Sequence, residues 1–593
     1  MVLEATRGPR KPAPRRPRPR PPLAADAPAA LRARLVTASF VALEWEPPRA
    51  ARVRPRPGHR RFHVHVYRIF RDGKVVGHSA HPRFTDRRGL IPGARHRYAV
   101  RAYQRTGRAG SRSRLLLVEV ATSSCVAGSS RASITQATRM TQEMVDRLFW
   151  RAGFGPSPAD REDWIGRPVS GLVEWLLGTP QSYTSHALAP LTDANGLIDP
   201  LVTNTELVLE WLDRMQRAEN PFFERMNFFW HRHWAVSRLD GVPAAFLLAY
   251  RDRLQRYGDF ATNPTASFGP LALEMTTEDA AMSYFLNGYE NNKVHPNENY
   301  AREFMELFCI GATNAAGAAN YSQTDVEQLA RAFTGWSLNN TVTSPAYGQV
   351  SFRPSVYDGG VKTILGQTGA FDAAQAVQIV LAQPSHGPHI VNKLWSEFIA
   401  TPIPPATLAE LVTVYTAPAN GLALLPLLRG ILSHPLIFES LCEPNLVKPP
   451  IVHMVGILRA MGVPLKGASL PTALNNMQQL PYSPPNVSGW EGGLSWLNSG
   501  TADARFNAVV RAQSILYGGY PGTAPVEDLP KETWEQAYGR AYESVGAPWL
   551  STQTQALLLA YARAAPASTP SLRRQRIYSL QASMLGGPDG QVM

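Results

Sequence analysis

The sequence predicts two folded parts, a small N-terminal all-β sandwich followed by a large, mainly α-helical domain. Three observations support this. Residues 31–122 form short β-rich runs separated by turns, and beyond residue 141 apolar residues recur at helical spacings of three and four. A length of 593 residues also exceeds what one compact core usually holds. We therefore expect a multidomain protein.

Four segments follow from composition. Residues 1–30 contain the proline- and arginine-rich run "RGPRKPAPRRPRPRPP", which cannot bury apolar surface and predicts a disordered tail. The sandwich occupies 31–122, and the small polar residues of 123–140 indicate a linker. The helical domain fills 141–593.

The net charge of +14 is concentrated at the N-terminus. Residues 1–122 contain 28 Lys and Arg against 7 Asp and Glu, whereas the rest of the chain is slightly acidic. This asymmetry indicates attraction to nucleic acid, anionic lipid or an acidic polymer, or else an arginine-rich surface without a specific partner. Nucleic acid is the least favoured partner, because the segment lacks the aromatic and basic spacing of single-strand readers.

Several classes of protein are disfavoured by missing features. The three cysteines, Cys125, Cys309 and Cys442, are widely spaced and support neither a disulfide framework nor a zinc cluster. No apolar run approaches the roughly 20 residues that span a bilayer, so we expect no transmembrane segment. The basic start lacks the apolar stretch of a signal peptide. Glycine-rich phosphate-binding motifs do not occur either.

The β-rich segment contains runs in which apolar side chains recur at every second position. Val41, Leu43 and Trp45 occupy every second position of one run, as expected for a strand with one buried face. Asp72 and Gly73 lie between two such runs, and this dipeptide favours the tight turn of a hairpin. The pattern predicts a small antiparallel sandwich.

This segment resembles a bacterial fibronectin type III module, which has an immunoglobulin-like sandwich fold. The resemblance rests on the Trp45 strand, the hairpin "YRIFRDG", and "LIPGARHRYAVRAYQRTGRAGSRS" with Leu90, Pro92, Gly93 and Tyr98. In bacteria the module usually accompanies extracytoplasmic proteins, often ones that act on polysaccharides. It implies an extracytoplasmic location, with the cytoplasm as the alternative, and a cell-surface or extracellular polysaccharide or a companion secreted protein as partner.

The helical domain shows its period in seven runs. These are "MVDRLFWRAGF", "VSGLVEWLLG", "TELVLEWLDRMQRA", "SQTDVEQLARAFTGW", "DAAQAVQIVLAQ", "HIVNKLWSEFIA" and "IVHMVGILRAM". Ser322 and Asp325 have the spacing of a capping box at the start of one of them.

The stretch "HPNENYAREFMELF", residues 295–308, predicts a two-faced helix. At about 100° per residue its polar side chains fall within one arc. They are Glu298, Asn299, Arg302, Glu303 and Glu306. Arg302 is spaced for ion pairs with Glu298 and Glu306. From periodicity alone a solvated face is the simpler interpretation, although the amide of Asn299 beside these charges also suits a binding array. Asn297 is suited to cap the helix.

Several long motifs resemble the bacterial family called domain of unknown function 1800, in the family's order over about residues 140–593. They include "MVDRLFWRAGFGPSPAD", the stretch just described, "YSQTDVEQLARAFTGWSL", "YDGGVKTILGQTG" and "PPNVSGWEGGLSWLNSGTADARFN". The resemblance implies a buried polar site on the 295–308 helix. This chain departs from the family by inserting "ATNAAGAAN" after Gly311, and by having Tyr357-Asp358 where relatives tend to have His-Asp.

Three further segments could carry chemistry. His231 and His233 lie about 200° apart on a helix and cannot both face one metal there, whereas on a strand or a distorted turn they can. On a helix we expect His233 to be the more buried of the two. The alternative for each is a core histidine bound to the backbone. Asp358 and Lys362 suggest a loop that brings a carboxylate and an amine to a cleft, or else a surface hairpin with an ordinary salt bridge.

The third segment is the loop "PPNVSGWEGGLSWLNSG". Its aromatic and amide side chains could bind a sugar, or the loop could be a rigid lid packed on the helices. The side chains in question are Asn486, Trp490, Trp496 and Asn498.

These candidates predict a metal-assisted or carboxylate-dependent hydrolase or transferase, with an extracytoplasmic substrate such as a glycan. The predicted catalytic residues are Glu298, Arg302, Glu303, Asp358 and Lys362. The predicted ligand-binding residues are Asn297, Asn299, Asn486, Trp490 and Trp496. A divalent metal would be held by His231, His233 and Glu303. The rival hypothesis is a non-catalytic scaffold or binding partner of a secreted enzyme, and a third is an anionic polymer or nucleic acid bound by the basic N-terminus.

Overall fold

The computed structural model divides the chain into two compact units, Met1–Ser124 and Cys125–Met593. It describes residues 27–36, 41–48, 51, 64–86, 90, 95–104, 109–119, 134–183, 191, 202–441, 443–465, 469–518 and 531–593. The predicted tail up to residue 26, the first part of the predicted linker, and Pro92, Gly93, Cys125 and Cys442 lie outside these residues.

Eight strands are described in the first unit. They are β1 (Ala29–Val36), β2 (Val41–Glu46), β3 (Val66–Arg71), β4 (Lys74–Ser79), β5 (Arg83–Asp86), β6 (Arg95–Tyr103), β7 (Ala109–Arg112) and β8 (Leu116–Glu119). One sheet has the order β1-β2-β5, and the other has the order β4-β3-β6-β7, with β8 also paired to β6. All of the pairings are antiparallel. β1 begins two residues before the predicted start of the sandwich.

A buried cluster draws side chains from both sheets. Val41, Leu43 and Trp45 of β2 are buried, which confirms the predicted alternation. The ring of Trp45 meets Tyr67 of β3 edge to face, with 5.2 Å between the ring centroids. The hydroxyl of Tyr98 donates to the Asp86 carboxylate at 2.7 Å, so the polar end of this buried ring is satisfied.

The predicted hairpin is present between β3 and β4. Asp72 and Gly73 at its turn have φ of 49° and 84°, the pair of positive values that a two-residue hairpin turn requires. Asp72 tolerates this conformation because its carboxylate accepts a bond from the backbone N–H of Arg97 at 2.8 Å. Local turn chemistry therefore fixes the register of this ribbon.

Twenty α-helices are described in the second unit. In chain order they are α1 (Gln142–Arg151), α2 (Pro158–Trp164), α3 (Val169–Gly178), α4 (Asn204–Arg217), α5 (Pro221–His233), α6 (Ala244–Arg256), α7 (Phe268–Thr277), α8 (Ala280–Phe285), α9 (Glu298–Glu303), α10 (Gln323–Ala332), α11 (Ala373–Leu381), α12 (His386–Phe398), α13 (Pro405–Thr416), α14 (Leu424–Leu432), α15 (Pro450–Met461), α16 (Ser469–Asn476), α17 (Ser499–Tyr517), α18 (Trp534–Ser544), α19 (Thr552–Ala564) and α20 (Pro570–Gly586).

Shorter elements lie between these helices. Two antiparallel ribbons pair β9 (Trp336–Leu338) with β10 (Val350–Phe352) and β11 (Lys362–Ile364) with β12 (Gln367–Gly369). A π-helical turn, Phe304–Cys309, follows α9 directly. Six 3-10 turns are described, at Arg238–Asp240, Gly288–Glu290, Pro354–Val356, Pro435–Phe438, Gly493–Trp496 and Pro588–Gln591.

All seven predicted helical runs lie on helices, namely α1, α3, α4, α10, α11, α12 and α15. The capping box at Ser322 and Asp325 is also present at the start of α10. The end of the predicted linker belongs to the helical unit, because Arg139 pairs with Pro168 and Met140 is buried. No helix among the described residues is long and apolar enough to cross a membrane.

α5 lies at the centre of the second unit. It packs against α3, α4 and α6 and buries almost every residue along its length. Trp211 of α4 and Trp230 of α5 are among the largest fully buried side chains of the protein. Its buried charges are paired, Glu224 with Arg214 and Arg225 with Glu397. The last residue of α5, His233, contacts the π-helical turn.

Candidate functional site

α9 is short and begins with a side-chain cap. The carboxamide oxygen of Asn297 accepts from the N–H of Tyr300 at 3.3 Å, and its Nδ2 donates to the Leu286 carbonyl at 2.7 Å. Asn297 was predicted to bind a ligand, yet both ends of its side chain are used to start the helix. The structure thus favours the capping alternative for this residue.

The polar face of α9 lies at the protein surface. Glu298 and Asn299 are exposed, while Arg302, Glu303 and Glu306 are half-buried. The expectation of a buried polar site is therefore wrong for Glu298 and Asn299. The opposite face carries buried aromatic rings, which anchor the helix and leave the charged side open.

The two expected ion pairs within the helix are not formed. Instead, Arg302 donates to the side-chain oxygen of Gln323 at 2.7 Å, and Gln323 donates to Glu298 at 2.7 Å. Gln323 is the first residue of α10, so this chain of contacts joins the two helices. Helical spacing indicates which residues can meet on one helix, but it does not reveal a partner on the next.

Glu306 and Glu303 lie three residues apart in different environments. The hydroxyl of Tyr321 donates to Glu306 at 2.5 Å. No described residue donates a hydrogen bond to the carboxyl of Glu303, although Arg302 is near enough to attract its charge. Burial first, and then the charge of Glu306, raise the pKa of Glu303. A carboxyl with a raised pKa and free oxygens is suited to proton transfer.

The charged groups of Asp358 and Lys362 are bound by other groups of the protein, on α10 and in their own loop. Arg331 of α10 binds both carboxylate oxygens of Asp358, at 2.7 and 3.3 Å, and this lowers the pKa of Asp358. The Lys362 ammonium donates to the carbonyls of Asp358 and Gly360 at 2.6 and 2.9 Å. β11 and β12 form a hairpin in this segment, Asp358 pairs with Arg331 of α10, and Lys362 is buried.

His231 is a satisfied core histidine. Its Nε2 accepts from the N–H of Tyr482 at 3.0 Å, so its Nδ1 carries the proton and faces the hydroxyl oxygen of Tyr250 at 3.0 Å. Burial lowers the pKa of His231 to about 3. His231 is 0% exposed and His233 is 6% exposed, so the expectation that His233 is the more buried of the two is wrong.

Three histidines donate to the end of the π-helical turn. The bonds run from His389 to the Leu307 carbonyl, from His233 to Phe308 and from His386 to Cys309, at 3.1, 3.0 and 2.9 Å. The last carbonyls of a helix have no partner within the helix, so these rings satisfy groups that would otherwise be buried and unpaired. Burial lowers the pKa of His386 to about 4 and that of His389 to about 3.

Lys393 completes this end of the turn. Its ammonium donates to the Leu307 carbonyl at 2.6 Å and lies 3.4 Å from Nδ1 of His233. Burial, together with the charge of Arg232, lowers the pKa of Lys393 to about 8. The two ring nitrogens of His233 are therefore placed against the Phe308 carbonyl and the Lys393 ammonium.

The predicted metal set does not form one site. Within the part of the chain that the structure describes, no group of three His, Cys, Asp or Glu side chains is placed to hold a metal ion. His231 contacts Tyr250 and Tyr482, His233 contacts the π-helical turn, and Glu303 lies on the outer face of α9. Their different surroundings follow from the opposite directions of His231 and His233 on α5.

The loop 484–500 packs onto α5. Trp490 is buried and stacks on Phe228 with 5.9 Å between the ring centroids, and the carbonyl of Trp490 accepts from Arg232 at 3.0 Å. Trp496 is buried as well. Asn486 binds Ser488 within the loop, and Asn498 caps α17. This arrangement matches the lid alternative more closely than an open sugar platform.

Sequence reasoning missed some polar residues. Tyr321 and Gln323 belong to the quoted motif "YSQTDVEQ", but they lie outside the helix that drew attention to the site. A separate cavity of about 450 Å³ opens between α16 and α17. Its polar lining includes Asn476, Gln478, Asp503, Asn507 and Arg511. Asn498 of the loop 484–500 also lines this cavity, but the sequence analysis did not predict a role for the other polar residues of the lining.

The sequence profile of the family described as "Protein of unknown function (DUF1800)" matches residues 147–592, which is more than half of the chain. The chain belongs to the DUF1800 family. No curated protein matches this DUF1800 protein. The family description names no reaction, so the function of this DUF1800 member must be sought in its own side chains.

Solved structures resemble this DUF1800 protein only locally. An exopolygalacturonase from Yersinia enterocolitica is 19% identical over 16% of this chain and 20% of its own, with a TM-score of 0.14. The sixth fibronectin type III domain of a human protein is 18% identical over 18% of this chain and 93% of its own, at 0.14. A beta-1,2-glucanase from Parabacteroides distasonis is 18% identical over 23% of this chain and 16% of its own, with a TM-score of 0.14. The chain spans about a fifth of the exopolygalacturonase. These values support no functional inference.

Proposed function

We propose that the helical unit is a carboxylate-dependent hydrolase or transferase in which Glu303 transfers the proton. The observation that carries this proposal is the half-buried carboxyl of Glu303, which has a raised pKa and no hydrogen bond from any described residue. A carboxylic acid that keeps its proton at higher pH than in water can protonate a leaving group near neutral pH.

The neighbouring groups suit supporting roles. The hydroxyl of Tyr321 donates to Glu306, and the amide of Gln323 bridges Arg302 and Glu298. Glu306 is therefore the carboxylate available to activate water or an acceptor hydroxyl, while Glu303 acts as the acid. Two carboxyl groups with different surroundings are the usual basis for such a division.

The charge of the face suggests the substrate class. Glu298, Glu303 and Glu306 outnumber Arg302, so an anionic group would be repelled there. The exposed amide of Asn299 can exchange hydrogen bonds with hydroxyl groups. We therefore propose a neutral, hydroxyl-rich substrate, which is the chemistry of a neutral glycan.

Proton transfer, rather than metal activation, carries the proposal. The described residues offer no third His, Cys, Asp or Glu ligand beside Glu303 and Glu306. Asp358 and Lys362, predicted as catalytic, are occupied by Arg331 and by backbone carbonyls, so we assign them to holding the loop against α10.

The first unit supports a second assignment. We propose that it is a fibronectin type III module, because its sheets have the orders β1-β2-β5 and β4-β3-β6-β7 and its core joins Trp45 to Tyr98. On this assignment we also propose an extracytoplasmic location, where such modules are usual in bacteria.

The test compares two variants that remove one charge each from α9. The full chain, Glu303→Gln and Glu298→Gln are assayed on a panel of neutral polysaccharides for new reducing ends and for transfer to an added sugar acceptor. We expect Glu303→Gln to abolish turnover and Glu298→Gln to retain most of it. Equal activity of Glu303→Gln and the unmodified protein would exclude the role of Glu303.

The rival is a non-catalytic scaffold that binds a secreted enzyme. The observation that favours it is the pair of hydrogen bonds that Gln323 makes with Glu298 and Arg302. These bonds join two helices, as a structural network would. A scaffold role predicts that Glu303→Gln loosens the fold, whereas an acid role predicts a stable, inactive protein.

A further inference from the structure

A row of four basic residues crosses the larger sheet of the first unit. His78 of β4 is paired directly with Arg68 of β3, Arg68 with Arg101 of β6, and Arg101 with Arg112 of β7. Residues paired in this way project from the same face, and neighbouring strands lie about 4.8 Å apart. The row, hereafter the arginine row, therefore runs straight across four strands over roughly 14 Å.

The arginine row lies on the outer face of the sheet. The residues on either side of Arg68, Tyr67 and Ile69, point into the buried cluster, so Arg68 points away from it. His78, Arg68 and Arg112 are exposed, and Arg101 is half-buried.

No carboxylate of the described residues pairs with Arg68, Arg101 or Arg112. Their like charges face each other directly across the strands, an arrangement that destabilises a sheet. Three acidic residues that the structure describes in this unit contact other groups. Glu44 binds Arg32, Asp86 binds Tyr98 and Arg71, and Asp72 binds His96. The Nε of Arg101 is buried and has no hydrogen-bond partner.

Two of the guanidinium groups lie over aromatic rings of the same sheet. The Arg68 guanidinium lies 4.4 Å above the ring of Tyr103, and that of Arg112 lies 4.2 Å above Phe70. A guanidinium over an aromatic ring is attracted to the ring, and its N–H donors lie at the edge of its plane, where a ligand can accept from them. It also covers the aromatic faces.

We propose that the arginine row binds an extended, carboxylate-bearing polysaccharide, a polymer of uronic acids. The row is uniformly basic, and each guanidinium can bind a planar carboxylate through two parallel hydrogen bonds. A straight row one residue wide fits a linear chain with a charge on successive sugars. Single-stranded nucleic acid fits less well, because it needs open aromatic faces for its bases, and the rings here are covered.

This binding site is independent of the proposed reaction, since it lies in the other unit. It gives the first unit the task of holding the protein on an acidic polymer while the helical unit acts on a neutral substrate. Failure of the polymer-binding proposal would therefore leave the proposed reaction untouched, and failure of the reaction would leave polymer binding untouched.

The experiment measures retention of the full chain by alginate, a uronic acid polymer, in affinity electrophoresis and by calorimetry, with uncharged dextran for comparison. Arg68→Gln/Arg101→Gln removes two charges from the arginine row. Arg34→Gln/Arg83→Gln removes two charges from exposed positions on the other sheet. We expect the first pair to weaken alginate binding by roughly tenfold or more, and the second pair to change it by less than about threefold.

Two results would overturn the proposal. One is an equal loss of affinity in both double variants, which would mean that only net charge matters. The other is tighter binding of a single-stranded oligothymidine than of alginate at the same salt concentration. Thermal unfolding of each variant checks folding, and the single variant Arg68→Gln, at an exposed position, provides the same comparison if the double variant unfolds.

Discussion

The hydroxyl of Tyr321 donates to a carboxylate oxygen of Glu306 at 2.5 Å, across the gap between the π-helical turn and the start of α10. This bond fixes one carboxylate of the pair on α9 and its π-helical extension, while Glu303 keeps both of its oxygens free of described donors. π-helical turns are rare and occur often at functional sites. The asymmetry between the two carboxylates is the basis of the proposed chemistry.

Glu303→Gln should leave the folded protein as stable as before, or slightly more stable, above neutral pH. A carboxyl whose pKa is raised on folding holds its proton longer in the folded state, so stability falls as pH rises from the unfolded value through the folded one. Glu303→Gln has no ionisable group at this position, so its stability does not fall with pH for this reason. Urea unfolding between pH 4 and 8 should show agreement within about 0.5 kcal/mol at the acid end, and a large destabilisation at any pH would instead support the scaffold role.

His231→Phe should lower stability by about 1 to 3 kcal/mol at pH 7, because the N–H of Tyr482 loses its acceptor. The pKa of His231 is lowered to about 3, so the unmodified protein loses stability as pH falls below about 6.5, by up to about 1.4 kcal/mol per pH unit. The variant does not share this loss. The gap between the two proteins in urea unfolding should therefore narrow from pH 7 to pH 5, whereas His295→Gln, at an exposed position, should leave the profile unchanged.

Lys393→Met should change the alkaline side of the stability profile. The pKa of Lys393 is lowered to about 8, so between pH 8 and its unfolded value the unfolded chain binds a proton that the folded protein has released. Stability of the unmodified protein should therefore gain up to about 1.4 kcal/mol per pH unit from this group. Unfolding curves from pH 7.5 to 9.5 should show this gain reduced in Lys393→Met and retained in Lys293→Met. Parallel profiles of all three proteins would contradict the buried position of Lys393.

Gly489→Ala should destabilise the loop that covers α5. Gly489 has φ of +79°, and a Cβ there would overlap the backbone oxygen of Arg232. Gly493, in the same loop, has φ of +66° but open space around it. We expect Gly493→Ala to cost about 1 kcal/mol from backbone strain alone, and Gly489→Ala to cost at least about 1 kcal/mol more. Equal melting temperatures of the two variants would show that the loop does not depend on this close approach.

Local patterns predicted the two parts of the fold and several of their elements. The seven helical runs, the Asp72-Gly73 hairpin and the capping box at Ser322 each depend on residues close together in the chain, and all are present. The alternation at Val41, Leu43 and Trp45 also gave the correct buried face. Periodicity succeeds in such cases because the same few residues determine both the local structure and its apolar side.

The contacts of the site could not be predicted in the same way. Arg302 binds Gln323 instead of a glutamate on its own helix, and Glu306 binds Tyr321, because tertiary packing brings α10 beside α9. The π-helical turn also changes the angles that a regular helix would give beyond Glu303. For His233 the deciding fact is an unpaired carbonyl at Phe308, which no sequence motif records.

The pH dependence of turnover in the full chain and in Glu303→Gln tests the central claim most directly. With a neutral polysaccharide as substrate, the unmodified protein should lose activity as pH rises above the raised pKa of Glu303, while Glu303→Gln should be inactive but fully folded by circular dichroism and thermal unfolding. Glu298→Gln should keep the profile of the unmodified protein. Turnover by Glu303→Gln with the same pH profile would contradict the assignment of Glu303 as the proton donor.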